Sequence, residues 1–488
     1  MKIILFLILY SPFSVLAEAS FQKKVLNMNI KNFFKSPETF YFSNINSLPT
    51  RRDNVQEVKY HEHMRKNIVS RSVRKNPKSA PAVNDDAQDL FPLHNLVRNI
   101  TELKESASIS TAPWSDDYWP INKGVLGARY TDEEFIDIYD WKEAKNYVLE
   151  YKVHSQMEPE FLEGLSPAEK FDLIIAPETH LPLNYVMWSQ GRSYYERYGE
   201  VENWMGICHG WAPASFMVER PKNSITVKSY NGEFDIKFFP SDIKALASLL
   251  WASTEYETLF VGGRCTSKEP ETDRNDRAID RDCLDNNPAT LHLALTNGIG
   301  IHQKSFVMDA TPEYEVWNQP VISYEYSYFN VLDEKAVTGL DQAIISIQDF
   351  KNDPFKKYRD RRAAYIVGVH MEVVYGVETT PSHRPIDDPT FDQTSSIYYY
   401  YDLELDKDKN IIGGEWYNEQ HPDFLWRPSD NTDALTYFDY YLLSEKLWDG
   451  KSSLPIRIKE LAISAASKGQ PLAYLVKSLV KLSQSEGK

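Results

Sequence analysis

Pro213 is the residue that most constrains the centre of this chain. It lies in the run Gly206, Ile207, Cys208, His209, Gly210, Trp211, Ala212, Pro213, Ala214, Ser215. Proline has no N–H and fits an α-helix only in the first turn, so the run predicts a helix starting near Gly210 and continuing through Phe216 and Met217. Cys208 then stands just before that helix, where the positive end of the helix dipole favours a thiolate and lowers its pKa. Gly206 and Gly210 would let a substrate backbone come close. A cysteine in this setting is more often a buried core residue than a nucleophile, so the rest of the chain has to decide.

The first evidence is the fate of the other cysteines. Met1 and Lys2 precede an uncharged apolar run, Ile3 to Leu16, that ends in small residues. The pattern predicts a secretory signal peptide over residues 1–19, cleaved near Ala17 or Ala19, and a secreted or periplasmic protein without stable membrane insertion. In an oxidising compartment Cys265 and Cys283, which bracket a polar, charge-dense loop, are expected to form a disulfide worth ~3 kcal/mol. Cys208 is then the odd thiol, and an unpaired thiol in an exported protein calls for a chemical reason.

The net charge of −16 argues against a nucleic-acid partner, because phosphates would be repelled. Charge is also uneven: residues 20–110 hold 15 Lys/Arg against 9 Asp/Glu, so the remainder is strongly acidic. Basic clusters at Arg51-Arg52, Arg65-Lys66 and Arg71 to Lys78 suggest a pro-segment or linker over 20–110, with a flexible solvated extension as the plainer reading. A catalytic body over 111–435 and a helical extension over 436–488 follow. Within them, Asp242 to Tyr256 reads as a core helix and Ile397 to Leu405 as a strand. Pro471 to Leu482 reads as an amphipathic helix packed on the body.

A nucleophilic thiol needs a base. His209 adjoins Cys208, but consecutive side chains diverge. His292 lies in the alternating run Leu291, His292, Leu293, Ala294, Leu295, which reads as a strand, and Ser305 to Ala310 reads as a second strand. If the two form a hairpin centred between Gly300 and Ile301, His292 faces Asp309 at roughly 5 Å between Cβ atoms, in range for a carboxylate that orients an imidazole. A one-residue slip would spoil this register. His302, in the loop between, is the competitor. The order Cys, His, Asp is that of papain-like thiol enzymes and of transglutaminases. Asn203 and Trp204 are available as oxyanion donors, and Trp204 and Trp211 as walls that keep water from the site.

Several motifs carry a resemblance to a known family. Val316-Trp317-Asn318-Gln319-Pro320 resembles the peptide motif of the oomycete-type transglutaminase elicitor family. Cys208 to Pro213, Asp273-Arg274-Asn275-Asp276-Arg277, the His292 and Asp309 runs, the Tyr398–Tyr401 run, Ile412 to Trp416 and His421 to Trp426 are similar to the same family. The resemblance spans roughly residues 112–430. After Pro320, Val321-Ile322-Ser323 does not keep the family's Arg-Gly-Phe continuation, which bears on immune recognition rather than on catalysis.

The resemblance implies an α+β fold with a papain-like core, in which a helix carrying the cysteine packs on an antiparallel sheet carrying His and Asp, with helical elaborations. It implies a protein-glutamine γ-glutamyltransferase with Cys208 as nucleophile, His292 as base and Asp309 as orienter. The expected partners are a glutamine-containing protein and a lysine or other primary amine, with water as the competing acceptor. No cofactor is required for the chemistry, although the family implies calcium stimulation. Asp273 and Asp276 are the weak calcium candidates, since their loop lacks the spacing of an EF-hand. A papain-like protease and a non-catalytic surface or effector protein are the alternatives.

Overall fold

The computed structural model describes residues 79–485 apart from 84, 151–158, 204, 264–269, 275–276, 311–315 and 419. The expected signal peptide and the basic clusters up to Lys78 therefore lie outside the described residues. Among the described residues no helix is long and apolar enough to cross a membrane.

The architecture is α+β, built on a curled antiparallel sheet. Among the described residues its strands are β1 (Ser106–Ser108), β4 (Thr258–Gly262), β5 (Val307–Asp309), β6 (Asn318–Asn330), β7 (Lys335–Val337), β8 (Ile345–Ser346), β9 (Tyr365–Val377), β10 (Gln393–Leu405), β11 (Ile411–Trp416) and β12 (Phe424–Pro428). β2 (Ile225–Lys228) and β3 (Asp235–Phe238) form a separate hairpin. The main path runs β11-β10-β9-β6-β5-β12-β4. β6 is its spine: one edge pairs with β9, while the other meets β5, then β1, then β7 in succession.

The tyrosine run explains one core. Strand side chains alternate between faces, so Ile397, Tyr399, Tyr401, Leu403 and Leu405 of β10 all point inward. They meet Tyr324, Tyr326 and Tyr328 of β6 inside the curl. A second core is helical: α1 (Pro167–Ile175), α2 (Pro182–Ser189), α3 (Cys208–Met217) and α4 (Pro240–Ser253) pack around Trp114, Trp119, Trp188 and Trp211. α6 (Ile456–Ala466) and α7 (Ala473–Ser483) complete it, with Leu475, Val476 and Leu479 buried, so the C-terminal helices are part of this core. A small cluster of Ala212, Phe260, Val307, Phe424 and Trp426 joins α3 to the sheet. Cys208 thus opens a helix at the seam between the two cores.

Three expectations need correcting. The run around His292 is a helix, α5 (Pro288–Leu293), continued by a π-helical stretch over Ala294–Ile299. Pro288 starts it and the Asn287 side chain caps it by accepting from the Ala289 N–H. The leucine alternation misled because this segment is buried on all sides, and a short buried run looks alike in helix and strand. Asp309 is on a strand as expected, but β5 pairs with β6 and β12, so the His292–Asp309 hairpin does not exist.

The second correction concerns residues 79–110. Leu90, Phe91 and Ile100 are fully buried, and β1 fills the gap between β5 and β7 on the edge of β6. These residues belong to the body, so any removable segment ends before Ser79. The third concerns α3, which begins at Cys208 rather than near Gly210, placing Pro213 at the sixth helical residue.

Candidate active site

Cys208 is the first residue of α3, and Ile207 before it offers no side-chain cap. The Ile207 N–H instead donates to the Tyr118 carbonyl at 2.7 Å. The two flanking glycines are explained by packing. A Cβ on Gly206 would overlap the Tyr118 carbonyl, and one on Gly210 would overlap Ser248 and Ala252 of α4. The close approach they permit is of this protein's own backbone, not of a bound substrate.

Register places the facing groups. β5 pairs Val307 with Trp426 of β12, and it pairs Asp309 with Asn318 of β6. Directly opposed residues share a face, so Trp426, Val307, Asp309 and Asn318 lie on the side of the sheet that meets α3. The Asn318 amide nitrogen Nδ2 donates to Cys208 Sγ at 3.7 Å. Its orientation is fixed chemically: the Trp426 indole N–H can only donate, and it donates to Asn318 Oδ1 at 2.8 Å. The amide is thereby turned with its NH2 toward the thiol.

Backbone N–H groups of Asn318 and His209 also donate to the sulfur. Against these three donors stand burial and the Glu378 carboxylate. Burial wins, and the half-buried thiol is pushed up to about 11. The expected fall in pKa at the helix N-terminus is thus reversed, because the loss of solvent outweighs the three donors. Glu378 itself is anchored at 2.9 Å from the Gln319 side-chain amide, one residue beyond Asn318. Asp309 Oδ1 accepts from the Trp317 N–H at 3.1 Å.

His292 is not part of this group. Its ring packs at 4.7 Å from that of Tyr326, and Nδ1 is 2.9 Å from the Tyr401 hydroxyl. Tyr326 stands eight residues along β6 from Asn318, which is roughly 26 Å of strand. Burial lowers the His292 pKa to about 3, so the ring is neutral at ordinary pH. His302 stacks on His94 at 4.3 Å, also elsewhere, and His209 is surface-exposed but bonds to the Ala252 backbone of α4 rather than to Cys208. Among the described residues no imidazole is hydrogen-bonded to Cys208.

The remaining candidates fare differently. Asn203 Oδ1 accepts from Asn122 at 2.6 Å, and its carbonyl accepts from the Tyr118 hydroxyl. Trp204 lies outside the described residues. Trp211 is fully buried with its indole N–H on the Trp114 carbonyl at 3.1 Å, so it is core rather than a wall of the site. Cys208 is a free thiol, while Cys265 lies outside the described residues and its pairing with Cys283 stands as an expectation.

Of the two calcium candidates the structure describes one, and the calcium expectation stands as an expectation. Asp273 Oδ1 accepts from the Arg277 N–H at 3.1 Å, closing its own turn, and Asp276 lies outside the described residues.

Sequence reasoning missed Asn318, Trp426 and Glu378. Asn318 and Trp426 sit inside two of the motifs that carry the family resemblance, Val316–Pro320 and His421–Trp426. The signal was present, but nothing in spacing linked two segments more than a hundred residues apart.

Comparison with known proteins bears on the same region. The model of the transglutaminase elicitor family matches residues 190–443, which include Cys208, Asp309, Asn318, Glu378 and Trp426. Among solved structures, the crystal structure of the GP42 transglutaminase from Phytophthora sojae is similar at a TM-score of 0.48 and 23% identity, covering 74% of this chain and 97% of that chain. No curated protein matches the chain.

Proposed function

The chain belongs to the transglutaminase elicitor family, and from that premise we propose that it is an exported protein-glutamine γ-glutamyltransferase with Cys208 as its nucleophile. The observation that carries the reading is the donor cradle at the head of α3, where the Asn318 side chain is turned onto the only described free thiol. Thiolate chemistry needs such donors, because they favour the charged form of sulfur.

In the proposed reaction Cys208 Sγ attacks the γ-carboxamide carbon of a protein glutamine. The C–N bond breaks, the thiol proton leaves with the nitrogen as ammonia, and a thioester remains. A primary amine then attacks the thioester, forming an isopeptide and returning the proton to sulfur. Water in its place gives glutamate. In this reading Glu378, whose charge acts on the thiol, and Asp309, opposite Asn318 on the facing strands, would carry the proton in these steps. The helix-on-sheet setting of the cysteine supports the expected papain-like arrangement only in outline, with Asn318 and Asp309 on the facing strands.

The non-catalytic reading is favoured by one observation: the thiol is protonated at rest and no described imidazole attends it. The test is incubation with a glutamine-rich protein and a fluorescent primary amine. Incorporation with ammonia release, lost in Cys208→Ala, is the expected result. Cleavage to new N-termini would indicate a protease, and identical behaviour of parent and Cys208→Ala would leave a non-catalytic protein.

A further inference from the structure

We propose that Asp285, His421 and Asp423 bind one divalent transition-metal ion, of the Zn2+ or Mn2+ class, at the seam where residues 79–82 join the sheet. One donor atom from each of the three lies within 4.8 Å of the others. His421 Nε2 is 3.6 Å from Asp285 Oδ1, and Nδ1 is 3.8 Å from Asp423 Oδ1. Both gaps are too long for hydrogen bonds. They involve different ring nitrogens, of which one ion takes only one; with Nδ1 as the ligand, its 3.8 Å gap to Asp423 Oδ1 is close to the spacing of roughly 3.4 Å between ligands around a tetrahedral ion with bonds near 2.1 Å, and Asp285 is the more distant third ligand.

A second observation points to a ligand. His421 is only 7% exposed, and its buried Nδ1 has no hydrogen-bond partner. A buried ring nitrogen is rarely left so, and an ion would satisfy it. Asp285 is also prepared as metal ligands usually are, by hydrogen bonds to the carboxylate from behind. Its Oδ2 accepts from the Ser79 hydroxyl at 2.6 Å and from the Ala80 N–H at 2.7 Å, leaving Oδ1 toward His421. An imidazole with two carboxylates suits zinc or manganese, whereas calcium takes oxygen alone.

The position gives the ion a consequence. Asp285 precedes α5 and holds residues 79–80, while His421 and Asp423 lead into β12. Trp426, three residues beyond Asp423, is the group that turns Asn318 toward Cys208. An ion here would brace the strand that sets the thiol's donor, from a site separate from the thiol.

The test uses the full chain stripped with a chelator and dialysed against Zn2+, Mn2+ or Ca2+ singly. Expected are one Zn2+ or Mn2+ per chain by elemental analysis and a rise in melting temperature of roughly 4 °C. His421→Gln and Asp423→Asn should each lose the ion, and Asp285→Asn provides a variant that keeps the bonds to Ser79 and Ala80. Visible absorption of bound Co2+ would report the nitrogen–oxygen ligand set in the folded protein. Absence of stoichiometric Zn2+ or Mn2+, or equal retention in folded His421→Gln, would overturn the site and leave a histidine side chain packed between two carboxylates. Neither outcome depends on transferase activity.

Discussion

Replacing Asn318 by alanine is expected to slow amine incorporation by on the order of 10²-fold, the usual cost of removing one fixed donor from a developing anion. The substitution removes the side-chain bond to Cys208 Sγ and leaves the backbone donors of Asn318 and His209 in place. With one of three donors gone, the thiol should titrate still higher than about 11. Alkylation by iodoacetamide, followed against pH, reads this directly, because only the thiolate reacts.

Glu378→Gln should move the same profile the other way, since a carboxylate beside the thiol disfavours its charged form. Trp426→Phe removes the donor that fixes the amide, so Asn318 can turn its oxygen toward sulfur and part of the loss should recur. Opposite shifts in Asn318→Ala and Glu378→Gln, with melting temperatures near the parent's, would distinguish an electrostatic site from a merely structural contact. An unchanged rate and alkylation profile in Asn318→Ala would remove this residue from the account.

Truncation at two points should give opposite results. A chain starting at Ser79 is expected to fold, because it keeps the bonds of Ser79 and Ala80 to Asp285 and the buried Leu90, Phe91 and Ile100. A chain starting at Thr111 is expected to be insoluble or unfolded. It lacks Leu90, Phe91 and Ile100, each fully buried, and each worth ~1.5–3 kcal/mol. It also exposes the edge of β6 that β1 covers, an invitation to aggregation. Those losses approach the whole stability of a typical domain, roughly 5–15 kcal/mol. Circular dichroism and thermal melting of the two truncated chains provide the measurement. A folded protein starting at Thr111 would restore the longer pro-segment reading. Higher activity of the Ser79 form than of the longer chain would support an inhibitory role for the basic residues before it.

The sequence made some of this legible through local chemistry. The helix over Pro240–Ser253 and the strand through the tyrosines were readable from periodicity, because each buries one set of side chains in a regular pattern. Cys208 was readable as the odd thiol at a helix start. His292 was misread because alternation in a wholly buried segment carries no direction, and Pro288 outweighs it by setting the first turn of a helix. The glycines beside Cys208 were misread because a need for close approach does not say what approaches. Residues 79–110 were misread because β1 is three residues long and gains its stability from β6, more than two hundred positions away. Asn318 and Trp426 meet only through the pairing of β5 with both β6 and β12, a relation that appears once the sheet is assembled.

The central claim is that Cys208 forms an acyl bond with glutamine. Mass spectrometry of the protein mixed with a glutamine-donor peptide and quenched in acid tests it without an acceptor amine. The account predicts a peptide adduct on Cys208, lighter by one ammonia than the sum of the two reactants, and discharged when a primary amine is added before quenching. A peptide cut at an amide bond, with no ammonia-deficient adduct on Cys208, would contradict it.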